Sequence, residues 1–90
     1  MKKTLYTQEN NILLSLLREV RQASGLTQAQ LADLLGVNQS WVSYYERGSR
    51  KLDMLQVRQI CRAVDVSLSE FSTRLETMIA EVEDSSSLSS

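Results

Sequence analysis

One short stretch of the chain concentrates side chains able to do chemistry. Gln39, Ser40, Ser43 and Tyr44 carry amide and hydroxyl groups, and Trp41 stands among them. At helical spacing these polar groups share the outer face of one short helix. Amides and hydroxyls recognise partners by donating and accepting hydrogen bonds. Nothing in the composition could activate them for bond-breaking. The 90 residues include no histidine and a single cysteine, Cys61. That excludes a Ser-His-Asp triad, an imidazole base, a histidine or multi-cysteine metal site and an internal disulfide. The carboxylates are scattered along the chain. The expectation is no catalytic residue, no metal, no cofactor and no enzyme. Cys61 reads as a small buried hydrophobe.

Short helices must position that polar face. Proline is absent, and apolar residues recur at threes and fours. A first helix is predicted over 8–23, with Leu13, Leu16, Leu17 and Val20 as its apolar stripe and Gly25 as its stop. A second begins at an N-cap, Thr27, with Gln30 as its capping-box partner, and closes at Gly36. Leu31, Ala32, Leu34 and Leu35 are its expected inner face. A third follows Asn38 as N-cap and ends at Gly48, with Val42 and Tyr45 facing inward. A fourth follows Asp53, with Val57, Ile60, Cys61 and Val64 on one side. Ser67 caps a fifth, paired with Glu70. On it, Leu68, Phe71, Leu75, Met78 and Val82 repeat as a heptad stripe.

The second and third helices make a helix–turn–helix. Such a unit needs a small residue where the helices touch, and Ala32 is there. It needs a turn residue tolerant of positive φ, and Gly36 is there. Leu31, Leu35, Val37, Val42 and Tyr45 fall where the two helices lock. The outer face of the second helix of the unit is then free to reach base edges in a DNA major groove. Tyr44 points about 100° away from the inward Tyr45 and reads as exposed.

Charge agrees with that reading once it is divided. The formal net charge is −1. Residues 1–62 nevertheless carry nine cationic groups against five anionic, a net +4, while residues 63–90 carry one against six, a net −5. A basic body with an acidic end suits an anion-binding surface on one side only. The longest apolar runs, Ile12-Leu13-Leu14 and Leu16-Leu17, are too short to cross a bilayer. No apolar segment follows the opening Met1-Lys2-Lys3, so no signal peptide is expected and the default location is cytoplasmic.

The chain resembles the Xre family, the lambda-type repressor and Cro helix–turn–helix proteins. The residues that carry the likeness are Leu17-Arg18-Glu19-Val20-Arg21, Gly25-Leu26-Thr27-Gln28, Leu31-Ala32, Gly36-Val37-Asn38-Gln39-Ser40 and Val42-Ser43-Tyr44-Tyr45-Glu46-Arg47-Gly48. It continues more loosely through Ile60, Ala63, Val64 and Val66, and covers about residues 12–72. The resemblance implies an all-α, compact five-helix lambda-repressor-like DNA-binding domain whose third helix reads double-stranded DNA. It implies base contacts from Gln39, Ser40, Ser43 and Tyr44. It implies backbone contacts from Thr27, Gln28, Asn38, Trp41, Arg47, Ser49, Arg50 and Lys51, in keeping with the affinity of helix N-termini, Arg and Lys for phosphate. It also brings together Arg21 and Glu46 as a partly buried ion pair. Two features depart from the simplest members. Trp41 is bulkier than the small polar residue often found there, reading either as half-packed on the domain or as touching sugar, phosphate or a thymine methyl. The fifth helix is acidic and extended.

The domain organisation follows. Residues 1–7 are expected to be a flexible N-terminus, 8–72 the DNA-binding domain, 73–84 a helical extension and 85–90, which are mostly serine, a disordered tail. Leu68 and Phe71 should pack on the domain. Leu75, Met78, Ile79 and Val82 exceed what so small a core needs and are assigned to a dimer interface. The expected function is a DNA-binding transcriptional regulator, a repressor acting on a palindromic operator as a homodimer. The alternative is an antitoxin or adaptor whose C-terminal helix holds a partner protein.

Overall fold

Five helices make up the fold of the described residues, several of them bounded by local chemistry legible in the chain. The computed structural model describes the backbone from Lys3 to Ser89 and the side chains from Thr7 to Asp84. The helices are α1 (Lys3–Ala23), α2 (Gln28–Leu35), α3 (Gln39–Glu46), α4 (Met54–Ala63) and α5 (Leu68–Ser89). No strand occurs among the described residues. The architecture is the all-α, lambda-repressor-like one expected.

The starts of α2, α4 and α5 are fixed by side-chain caps. Thr27 Oγ1 accepts from the Gln30 N–H at 3.1 Å, and Gln30 Oε1 accepts from the Thr27 N–H at 2.9 Å. Asp53 and Gln56 make the same reciprocal pair at α4, at 2.8 and 2.9 Å. Ser67 Oγ accepts from the Glu70 N–H at 3.0 Å. Each such cap satisfies helix N–H groups that would otherwise lack partners and stabilises its helix by about 1 kcal/mol.

The ends of α1 to α4 repeat one device. The N–H of Leu26, Val37, Ser49 and Val66 reaches back to the carbonyl of Arg21, Ala32, Tyr44 and Cys61. The residue before each donor is left-handed: Gly25, Gly36, Gly48 and Asp65. Gly36, at φ 73°, turns the chain tightly enough for α3 to fold back across α2. Gly48 is also tightly packed, since a β-carbon there would lie 3.1 Å from Leu14 Cδ1. Asp65, at φ 62°, adopts this conformation without being glycine, a backbone cost of about 1 kcal/mol.

Inside lie Leu16, Leu17 and Val20 of α1, Leu31 and Ala32 of α2, Val42 and Tyr45 of α3, Ile60, Cys61 and Val64 at α4, and Phe71 of α5. α2 packs on α3 and α4, α1 on α3 and α5, and α4 on α5. This core joins all five helices and holds α3 from behind.

Three sequence expectations need correction. Leu34 is 62% exposed. It is two residues from buried Ala32, a turn of about 200° that carries it to the far side of a short helix. α1 begins at Lys3 rather than residue 8, and α5 runs through Ser89 rather than stopping at Asp84. Neither stretch contains Gly or Pro, and once a helix has nucleated it propagates at little cost. The predicted tail therefore continues α5 to Ser89, with Ser90 and the side chains of residues 85–90 outside the described set. Leu75 and Met78 are half-buried against the domain's own core. Part of each is covered within the domain, because α5 lies against both α1 and α4. α3 closes at Glu46, with Arg47 as its C-cap and Gly48 just beyond.

Candidate nucleic-acid interface

α3 is eight residues long and divides cleanly. Val42 and Tyr45 are fully buried and Glu46 nearly so. Gln39, Ser40 and Tyr44 are exposed, and Ser43 and Trp41 are half-buried. The four side chains assigned to base contact thus lie on or beside one solvent-facing surface of a single helix. Asn38 holds the N-cap position in extended backbone but makes no side-chain cap bond. Asn38, Gln39 and Ser40 are all exposed at this end of α3, and a helix N-terminus is a favourable setting for an anion.

Behind that face is a hub at Glu46. Its carboxylate accepts from Arg21 Nε at 2.7 Å and Nη2 at 3.1 Å. The second of these oxygens, Oε1, also accepts from Gln28 Nε2 at 3.0 Å and lies 3.8 Å from Arg18 Nε. Arg21 Nη1 donates to the Leu26 carbonyl at 2.9 Å, and Arg18 Nη2 to the Glu46 carbonyl at 3.4 Å. One carboxylate therefore ties α1, the start of α2 and the end of α3 together. The hydrogen bond to Glu46 raises the Arg21 pKa, outweighing the opposing effect of burial, so the guanidinium stays charged. Expected to meet, Arg21 and Glu46 do so.

The cations expected on the DNA backbone flank the helix. Arg47, Ser49, Arg50 and Lys51 are exposed. The Arg47 guanidinium carbon lies 5.0 Å from the centre of the Tyr44 ring. That of Arg50 lies 5.8 Å from the centre of the Trp41 ring. Trp41 in turn meets Tyr45 edge-on, with ring centres 5.4 Å apart. Thr27 is exposed, with its hydroxyl accepting within the α2 cap. Gln28 is half-buried, and its amide retains a second hydrogen beyond the one given to Glu46. These residues all surround the N-terminal ends of α2 and α3 and the loop after α3.

Residue spacing missed four of these relationships: Gln28 on Glu46, Arg18 on Glu46, Arg47 on Tyr44 and Arg50 on Trp41. The first two join residues 18 and 28 positions apart in the chain, beyond the reach of any periodicity. An arginine three residues after a tyrosine on one helix, as Arg47 follows Tyr44, was a usable signal.

Of the assigned dimer residues, Val82 is exposed and Ile79 half-buried. Leu75 and Ile79 also line a cavity of about 470 Å³ with Leu13, Leu14 and Leu52. Among the described residues there is no helix long and apolar enough to cross a membrane, and no group of acidic, cysteine or histidine side chains that could hold a metal.

Residues 12–73 match the family described as a helix-turn-helix domain. Among solved structures, the chain is similar to an XRE-family like protein from Pseudomonas syringae pv. tomato. The two are 38% identical, the match covers 84% of this chain and 93% of the other, and the TM-score is 0.79. The Restriction-Modification Controller Protein C.Esp1396I, as a tyrosine-to-phenylalanine mutant, matches at 25% identity over 89% of this chain and 96% of its own, with a TM-score of 0.73. The clp gene regulator ClgR from Corynebacterium glutamicum shares the fold at 22% identity, over 90% of this chain and 86% of its own, with a TM-score of 0.75. No curated protein matches the sequence significantly.

Proposed function

This chain belongs to the Xre-type helix–turn–helix family of DNA-binding transcription regulators, and from that premise we propose that it is a sequence-specific repressor that binds a palindromic operator as a homodimer. The observation that carries the reading is the division of α3. Its exposed face offers amide and hydroxyl groups, while its buried face is locked to α1 and α2 through Glu46. A rigid scaffold under a polar face is what base readout requires.

In this reading α3 enters the major groove N-terminus first. Gln39, Ser40, Ser43 and Tyr44 contact base edges. Thr27, Gln28, Asn38, Arg47, Ser49, Arg50 and Lys51 engage the phosphates and set the register. The acidic α5 lies away from the duplex. The protein acts in the cytoplasm, where its DNA is. Ile79 and Val82 on α5 join two copies, so that two α3 helices reach half-sites about 34 Å apart.

Selection of bound duplexes from a random pool tests the whole reading. A two-fold symmetric motif with half-sites one helical turn apart is the expected result. Recovery of no motif overturns sequence-specific binding. An asymmetric or single half-site overturns the homodimer. If the protein is a monomer that elutes with a partner protein from its own source, the C-terminal helix is serving as an adaptor.

A further inference from the structure

A stack of three side chains runs from the core to the loop behind α3. Tyr45 is fully buried. Trp41, one turn back along α3, meets it with ring planes at 69°. The Arg50 guanidinium lies over the other ring of the pair, the Trp41 indole. Among the described residues no carboxylate pairs with Arg50. Its guanidinium meets the negative face of the indole, 5.8 Å from the ring centre.

The half-buried indole is packed against Tyr45 and presents a face to Arg50, so part of its surface is already engaged within the protein. Arg50, by contrast, belongs to an exposed loop and would sample many rotamers if nothing held it. We propose that Trp41 is a positioning residue: it holds the Arg50 guanidinium ready for a DNA phosphate and contributes to binding through Arg50 rather than by a contact of its own. This rests on the DNA-binding reading above and revises the direct backbone contact expected of Trp41. It also gives that residue's bulk a purpose. The same helix that reads bases fixes the cation that sets the register on the phosphates. Tyr44 and Arg47 differ from this pair, because Tyr44 is itself exposed and keeps a free hydroxyl for readout.

The test is a double-mutant cycle in the full chain, on the duplex that the wild-type protein selects and on a random duplex, over a salt series. Trp41→Leu is expected to weaken binding about two- to fivefold on both duplexes, the range an exposed cation–π contact spans. In an Arg50→Ala background the same change should have no further effect. Arg50→Ala should lower the salt slope by about one, and the double variant no further. Trp41→Phe keeps a ring face and should bind nearly as wild type, which separates loss of the stack from loss of folding. The single tryptophan adds a readout in the free protein, since Arg50→Ala should shift its emission. Equal losses from Trp41→Leu in both backgrounds, or none in either, overturn the positioning role while DNA binding stands. Failure of the wild-type protein to select any duplex overturns the DNA-binding reading first, and the positioning role falls with it.

Discussion

Arg21 and Glu46 lie 25 positions apart in the chain and meet in the interior through two hydrogen bonds. Glu46 is the last residue of α3, and its side chain is 1% exposed. The carboxylate thus ties the end of α3 to α1. Glu46→Ala would leave the Arg21 guanidinium buried without its counter-charge. The expected loss is about 3–5 kcal/mol, measured by urea unfolding. Arg18 approaches the same carboxylate at 3.8 Å but is half exposed, so Arg18→Ala should cost about 1 kcal/mol or less. Comparable losses from the two substitutions would show that Glu46 is not organised around Arg21.

What the chain disclosed and what it hid divide along physical lines. Caps and turns are local, so Thr27 with Gln30 and Gly36 at the turn were legible directly. Asp65 hid the end of α4, because a non-glycine residue in left-handed backbone leaves no mark in composition. The polar face of α3 followed from helical spacing. The Glu46 hub was visible only in its Arg21 arm, and that through family resemblance, since its other donors come from distant residues. That Leu75 and Met78 also pack on their own core was hidden, because periodicity shows that a face is apolar but not what covers it.

Tyr45 is the one buried side chain among the described residues whose polar atom, its hydroxyl, finds no hydrogen-bond partner. Tyr45→Phe removes that atom and keeps the ring. It should leave stability at neutral pH unchanged or raise it by up to about 1 kcal/mol. The alkaline limb should differ more. Burial, reinforced by the Glu46 carboxylate, raises the Tyr45 pKa well above its ordinary 10.0. The folded state therefore keeps the phenol proton where the unfolded state releases it. The associated stability is fully present below about pH 10 and is lost as pH climbs beyond it. Burial pushes the Cys61 thiol in the same direction. Thermal melts from pH 8 to 11 should show wild type losing stability at the top of the range, and the phenylalanine variant losing less. Parallel curves would mean that Tyr45 is solvated.

On DNA, the two proposed classes of contact should separate. Gln39→Ala should relax preference at one base position per half-site by about 1–3 kcal/mol, with a small effect on random duplexes. Arg50→Ala should weaken selected and random duplexes alike. Competition binding over single-base variants of the site measures both. If Arg50→Ala changed the preferred base and Gln39→Ala did not, α3 would lie in the groove the other way round.

The dimer prediction now turns on the outer half of α5. Leu75 and Met78 contribute to the core of their own domain, so deleting them would confuse loss of association with loss of folding. Val82 is 36% exposed and Ile79 half-buried, and α5 continues beyond them to Ser89. At about 1.5 Å per residue this helix is about 33 Å long, enough to project past the body of so small a domain. Glu76, Glu81, Glu83 and Asp84 are exposed along it and would repel a duplex. An apolar stripe on a projecting acidic helix finds cover against a second copy more readily than against DNA. Each large apolar side chain buried there contributes about 1.5–3 kcal/mol before the cost of association. Ile79→Asp combined with Val82→Asp should convert the dimer to a folded monomer in sedimentation, with an unchanged helical spectrum and an operator affinity reduced to that of one half-site. A doubly substituted protein that still sediments as a dimer and still binds the palindrome at full strength would place the interface elsewhere on the molecule.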